Sequence, residues 1–275
     1  MKQLLSYTLS VACVLSLFSC GKKTESEAEK HFRLGNEMLF TNDLSKSKAE
    51  YELAIKADST HWKSYYELGG VYEMEGNFPK AYDCFTKTIQ LNPGYAMAYY
   101  SRASVNDAVG DEKGYTKDID KTLELKKDFF VAIFAKARAD YAKGNFAKAG
   151  EGFSEAIKLN PEFYITYSLR GTCRFKTGDL DGAASDYDME IKLMPNHIMG
   201  YVNRSVVYGE QKKYQEAIDA ITKAMTIDPL WSQGYIYRGL YEIKNNNADT
   251  ACLNFRIAKN MNNPNAADYI KQYCK

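Results

Sequence analysis

One pattern, 34 residues long, runs seven times through this 275-residue chain without insertion. Its units start at Ala28, Trp62, Ala96, Phe130, Tyr164, Ile198 and Ser232. A fixed period of this length marks a stacked array, in which each unit buries its apolar face only against its neighbours. Such a chain works through an extended surface, and a catalytic cleft is not expected from it.

The residues within each unit specify what is stacked. The eighth place is Gly35, Gly69, Ala103, Ala137, Gly171, Ser205 and Gly239, small in every unit. That is a steric demand, because two helices crossing closely leave no room for a larger side chain. The twentieth place is Ser47, Ala81, Tyr115, Ala149, Ala183, Ala217 and Ala251, small except for Tyr115. The twenty-fourth is Tyr51, Phe85, Ile119, Phe153, Tyr187, Ile221 and Phe255, always bulky and apolar. Small residues on two facing helices, beside a bulky knob, describe a packed antiparallel pair.

The punctuation agrees. Gly76-Asn77, Gly110-Asp111, Gly144-Asn145 and Gly178-Asp179 break their units in the middle, as a helix–helix turn requires. Pro79 follows one such turn, where a helix start tolerates its missing N–H. Pro93, Pro161, Pro195 and Pro229 fall where a second helix must stop. Between the breaks apolar residues recur at three and four, as in Phe153, Ala156 and Ile157. No stretch after residue 27 alternates as a strand does.

Arg102, Arg170, Arg204 and Arg238 share the seventh place. Asp118 and Asp186 lie on the second helix of the same hairpin as Arg102 and Arg170, so each pair is expected to bridge its two helices. An anion site is the alternative. The recurrence with the repeat favours an ion pair, and exposed pairs of this kind contribute only about 0–1 kcal/mol.

Tyr65, Leu68, Gly69, Tyr72, Ala81, Phe85 and Pro93 of the second unit follow the signature of the tetratricopeptide repeat (TPR), and residues 28–265 resemble that family. The resemblance implies an all-α fold, a right-handed TPR superhelix of seven 34-residue helical hairpins plus a C-terminal capping helix. The units are 28–61, 62–95, 96–129, 130–163, 164–197, 198–231 and 232–265, with the cap at 266–275. Departures are local: Tyr115 at a small site, Lys127 in place of a Pro, and Asp140 where an aromatic is usual, with Tyr141 beside it. In the cap, Tyr269, Ile270 and Tyr273 share one side and are expected to cover the last apolar face.

The two ends carry an address. Lys2 precedes an apolar run from Leu4 to Phe18, too short to span a bilayer and matching the core of a secretory signal. It ends in Leu17-Phe18-Ser19-Cys20-Gly21, which resembles a bacterial lipobox. Residues 1–19 are then a lipoprotein signal peptide, Cys20 is the lipidated first mature residue, and 20–27 form a polar tether. An ordinary secretory signal containing a Cys is the alternative. Several acyl chains make a stable anchor. With no Asp after Cys20, the resemblance implies the outer membrane, facing the periplasm or exposed at the surface. Cys252 and Cys274 match the ending of secreted TPR lipoproteins in which such a pair is bridged, so they are either a disulfide or two buried thiols. Cys84 and Cys173 read as small core residues.

Composition excludes several classes. Formal charge is +1 and there is no basic stripe, so nucleic-acid binding lacks electrostatic support. There is no Gly-rich phosphate loop, no His-Glu-x-x-His and no Gly-x-Ser-x-Gly. His31, His61 and His197 lie far apart in sequence, without ligand spacing. No enzyme activity, catalytic residue, metal or cofactor is expected.

In TPR proteins a concave groove is lined by the second, fifth, ninth, twelfth and thirteenth places of each unit. Carried onto this chain, the partner-binding residues are Phe32, Asn36, Phe40, Tyr66, Met97, Tyr100, Phe134, Arg138, Tyr141 and Phe175. Leu39, Met74, Ile165, Lys176, Met199, Val202, Val206, Ile236, Leu240 and Ile243 join them. More than half of these places are apolar or aromatic, against 45% for the chain. The expected occupant is a protein or peptide segment held by aromatic anchors, unless these side chains pack against neighbouring first helices instead. Grip on a terminal carboxylate is disfavoured, because it takes Lys and Asn at the fifth and ninth places and unit one has Phe32 and Asn36. The reading is a membrane-anchored interaction scaffold of the bacterial cell envelope. The alternatives are a receptor for a small ligand or glycan in an aromatic groove, and a catalytic accessory subunit.

Overall fold

The computed structural model describes residues 25–274. The leader, Cys20 and the start of the tether lie outside them. The described residues form fifteen α-helices and no strand. Contacts divide the chain into two compact units, one ending at Lys121 and the other starting at Thr122. In the first lie α1 (Glu27–Phe40), α2 (Leu44–Ala57), α3 (Trp62–Met74), α4 (Phe78–Leu91) and α5 (Ala96–Ala108). The division falls within α6 (Glu112–Leu125). The second contains α7 (Phe130–Ala142), α8 (Phe146–Leu159), α9 (Tyr164–Thr177), α10 (Leu180–Leu193), α11 (Ile198–Glu210), α12 (Tyr214–Ile227), α13 (Ser232–Lys244), α14 (Ala248–Asn260) and α15 (Ala266–Tyr273). Within each unit the helices pair as hairpins, and each second helix packs on the next first helix.

The chain enters α1 earlier than the tether reading allows. Ser26 accepts a hydrogen bond from the Glu29 backbone N–H at 3.1 Å, the Ser-x-x-Glu arrangement that starts a helix. Residues 26 and 27 therefore belong to the first hairpin.

All seven hairpin turns put one residue, the fifteenth of its repeat, in the left-handed region. It is Gly76, Gly110, Gly144 and Gly178 in four repeats, with φ from 73° to 88°. Asn42, Lys212 and Asn246 take the position in the other three, at φ 60°, 61° and 65°. Asn tolerates this conformation through local hydrogen bonding, whereas Lys212 has no such relief. Asp43, Asn77, Asp111 and Asp179, one residue later, accept from the backbone N–H three residues on and start the second helix.

The core is built from the small and bulky places. Tyr51, Phe85, Ile119, Phe153, Ile221 and Phe255 are fully buried. A methyl group added to Gly35 would stand 2.5 Å from the Tyr51 ring, and one on Gly69 2.7 Å from the Phe85 ring. Gly171 faces Tyr187 and Gly239 faces Phe255 in the same way. Where the knob is Ile119 or Ile221, the partner is Ala103 or Ser205. The fourth hairpin departs from this rule: Phe153 faces Ala137. There Gly152 takes over, its missing Cβ leaving room for the Ala137 methyl, which would otherwise lie 2.9 Å away. Helix separation is thus set pair by pair, by one methyl group at a time.

The arginine pairs form, but they are buried and not the exposed pairs expected. Arg102 Nε and Nη2 donate to Asp118 at 2.7 Å each, and Arg170 Nε and Nη2 donate to Asp186 at 2.9 and 2.6 Å. Both carboxylates are almost wholly out of solvent. Bonding to Asp118 holds the Arg102 guanidinium above its usual pKa. Arg102 Nη1 also donates to Thr86, and Arg170 Nη1 to Ser154, each on the second helix of the preceding repeat. Arg204 reaches Asp188 there at 2.6 Å, and Arg238 bonds Asn254 of its own hairpin. One guanidinium thereby links three helices.

At the C-terminus α15 lies on α14. The rings of Tyr269 and Tyr273 lie 5.4 and 6.1 Å from the Phe255 ring, and Cys252 and Cys274 are joined in a disulfide.

Candidate partner-binding surface

In the first unit, α1, α3 and α5 carry the places read as groove lining. Their side chains divide into two groups. Phe32, Tyr66 and Asn36 are held by the fold itself. Phe32 lies edge-on to His61 at 5.2 Å and beside Tyr51 at 6.1 Å. Tyr66 packs against Phe85 and Tyr95 at 5.7 and 5.1 Å, and its hydroxyl is 3.3 Å from Ser101 Oγ. Asn36 accepts from the Tyr51 hydroxyl at 2.7 Å. Met97 and Tyr100 are half-buried, and Leu39 packs against the core. Burial pushes the Tyr51 and Tyr95 phenols up to about 12 and raises that of Tyr66, so all three remain protonated at neutral pH.

The second group points into solvent. Phe40 is 93% exposed and Met74 58%, both at the thirteenth place, which ends the first helix. Val109, 57% exposed, directly follows α5. The sequence reading passed over Val109, although its position one residue beyond the thirteenth place was a usable signal.

The second unit repeats this division. Phe134 contacts Phe130, Phe153 and Phe163 at 6.0, 5.7 and 5.4 Å. Tyr141 meets Phe146 edge-on at 5.6 Å, and Phe175 packs on the cluster of Ala183, Tyr187 and Val207. Val202 and Ile236 are buried and cannot line a surface as read: Ile236 lies in the core formed with Phe255 and Ala266. Leu240 and Ile243 pack against the same core, and Ile165 is half-buried. Arg138, Lys176, Met199 and Val206 are exposed.

Among the described residues, each histidine pairs with a carboxylate of its own. His31 pairs with Glu50 at 2.6 Å, His197 with Glu190 at 2.8 Å, and His61 with Glu29 at 3.4 Å. Among the described residues no group of three or more His, Cys, Asp or Glu side chains is arranged to hold a metal, and no helix is long and apolar enough to cross a membrane. Burial pushes the Cys84 thiol up to about 12 and the Cys173 thiol to about 11, so neither is a thiolate at neutral pH.

Paired helices that bury their rings and leave apolar and charged tips on the first helices define a helical-hairpin repeat protein with a surface fit for protein interaction. Tetratricopeptide repeat models match residues 62–95, 134–197 and 200–229, so these segments are tetratricopeptide repeats. No curated protein sequence is significantly similar to the chain. Among solved structures, the C-terminal part of a TPR repeat-containing protein from Cytophaga hutchinsonii superposes with a TM-score of 0.73 at 14% identity, over 86% of this chain and 98% of that one. A tetratricopeptide repeat protein from Parabacteroides merdae gives 0.59 at 17% identity, over 90% and 99%. PilF of Pseudomonas aeruginosa gives 0.57 at 16%, over 74% and 92%. At these identities the likeness carries the fold alone. That fold fits a protein–protein interaction scaffold, and no enzyme family is indicated.

Proposed function

We propose that this chain is a membrane-anchored adaptor of the bacterial cell envelope, which holds an extended or helical segment of a protein partner along its first helices. The observation that carries the reading is the exposure of Phe40, Met74, Met199 and Val206 at groove places while neighbouring rings are locked in the core. Exposed apolar tips on a rigid scaffold are what a partner's side chains cover, and the locked rings keep the surface preformed. Arg138 and Lys176 lie among these places, and no basic stripe invites nucleic acid.

The reading is tested by placing a photo-crosslinking residue at Phe40, Met74 or Arg138 in intact cells. Each is expected to capture protein, whereas Gln90 and Lys158 on second helices are not. Equal yields at all five positions would sink the groove reading.

The address follows from Cys20, lipidated at the start of the mature chain and attached to the outer membrane, facing the periplasm. The Cys252–Cys274 bond supports an oxidising compartment. Cys20→Ser is expected to shift the protein from the membrane pellet to the soluble fraction. A wild-type chain whose mass carries no acyl groups would remove the anchor from the proposal.

A further inference from the structure

Two equivalent places, two repeats apart, differ in the ring that covers the arginine. In α4, Tyr82 lays its ring over the Arg102 guanidinium, 5.5 Å from centroid to carbon, with Tyr99 at 5.9 Å on the same group. In α8 the place of Tyr82 is Gly150, and that of Arg102 is Arg170 in α9. Arg170 keeps the carboxylate, the hydroxyl of the preceding repeat and one ring, Tyr167 at 5.7 Å. The second ring has no counterpart. A notch of about 210 Å³ opens there instead, lined by Phe146, Gly150, Glu151, Arg170, Cys173 and Arg174.

Glycine is not forced at this place. A methyl group on Gly150 would lie 3.6 Å from Cys173 Cβ, an ordinary contact, and its backbone is helical. Gly152, two residues on and facing the other way, is forced by Ala137. Glycine weakens a helix interior relative to alanine. Gly150 therefore keeps the space beside Arg170 open at a cost to α8.

We propose that this notch receives a tyrosine side chain of a protein partner, which stacks on Arg170 as Tyr82 stacks on Arg102. The occupied version of the site, present in the same chain, specifies the occupant. A cavity of roughly 150 Å³ suffices for a benzene ring, so the space admits one aromatic ring. The guanidinium, held in place by Asp186 and Ser154, offers its face to the ring. Glu151 and Arg174 at the margin provide partners for a phenol hydroxyl. The notch lies between α8 and α9, and its α9 residues Arg170, Cys173, Arg174 and Thr177 are none of the groove places, so its test is separate from that of the groove.

The test is an NMR titration of the mature protein with N-acetyl-tyrosinamide, N-acetyl-leucinamide and inorganic phosphate at millimolar concentration. The tyrosine probe is expected to shift the Arg170 Nε–H and the amides of Gly150 and Thr177, and the other two are not. Gly150→Tyr, which rebuilds the Tyr82 arrangement, should weaken the tyrosine response by at least about tenfold. Tyr82→Gly should create a second response at the Arg102 Nε–H, a gain that needs no folded Gly150 variant. Equal response to leucinamide, a response to phosphate alone, an unaltered titration in Gly150→Tyr, or silence at Arg102 in Tyr82→Gly would each overturn the proposal.

Discussion

Arg102→Met is expected to lower the folding stability of the protein by about 3–5 kcal/mol, read as a fall in the urea midpoint. The reason is burial. The Asp118 carboxylate is almost solvent-free and takes two 2.7 Å bonds from one guanidinium. Removing the guanidinium leaves a desolvated charge without its bidentate donor. The bond from Arg102 to Thr86 is lost as well, so a link between successive repeats goes with it. Adding Asp118→Leu should recover most of the loss, because an apolar pair of similar volume replaces a buried ion pair at little cost. A loss under about 1 kcal/mol for the single variant would show that the pair behaves as a solvated surface bridge.

Gly69→Ala and Gly70→Ala, one residue apart on α3, are expected to change stability in opposite directions. At Gly69 the new methyl meets the buried Phe85 ring at 2.7 Å and Cys84 Cβ at 3.1 Å. The ring has nowhere to go, and overpacking of this kind costs about 1–3 kcal/mol. At Gly70 nothing lies within 4 Å. There alanine removes the helix penalty of glycine and adds about 0.8–1 kcal/mol. Paired urea unfolding curves measure both. Equal shifts in the same direction would mean that propensity governs α3 and the close crossing does not.

The contrast also shows what was legible in the residues. Both are Gly in the same helix, and only the recurrence of small residues at the eighth place separates them. That recurrence, with the bulky twenty-fourth place and the Gly and Pro breaks, was enough for the all-α hairpin fold. Less was visible where several residue types serve one geometry. Asn42, Lys212 and Asn246 carry the same left-handed turn as the four glycines, and Lys212 gives no sign of it. Burial of Asp118 and Asp186 was not legible either, since spacing places a pair across two helices without saying what covers it. For the surface, place number alone could not say which way a ring turns. Tyr66 and Phe134 rotate onto Phe85 and Phe153, while Phe40, the last residue of α1, meets no ring and stays in water. The open space at Gly150 has a sequence signal, a glycine where Tyr82 stands elsewhere, but its meaning required the Tyr82–Arg102 contact.

The exchange between Ala137 and Gly152 limits how such an array can be recombined. Grafting α7 onto the second helix of a repeat whose eighth place is glycine would bring its methyl against a ring that has no vacancy for it. Grafting α8 elsewhere would leave a void where its glycine faced nothing. The transferable module is the matched hairpin, so duplication or shuffling that cuts inside a turn breaks a fitted pair, whereas a cut between hairpins leaves every such fit whole.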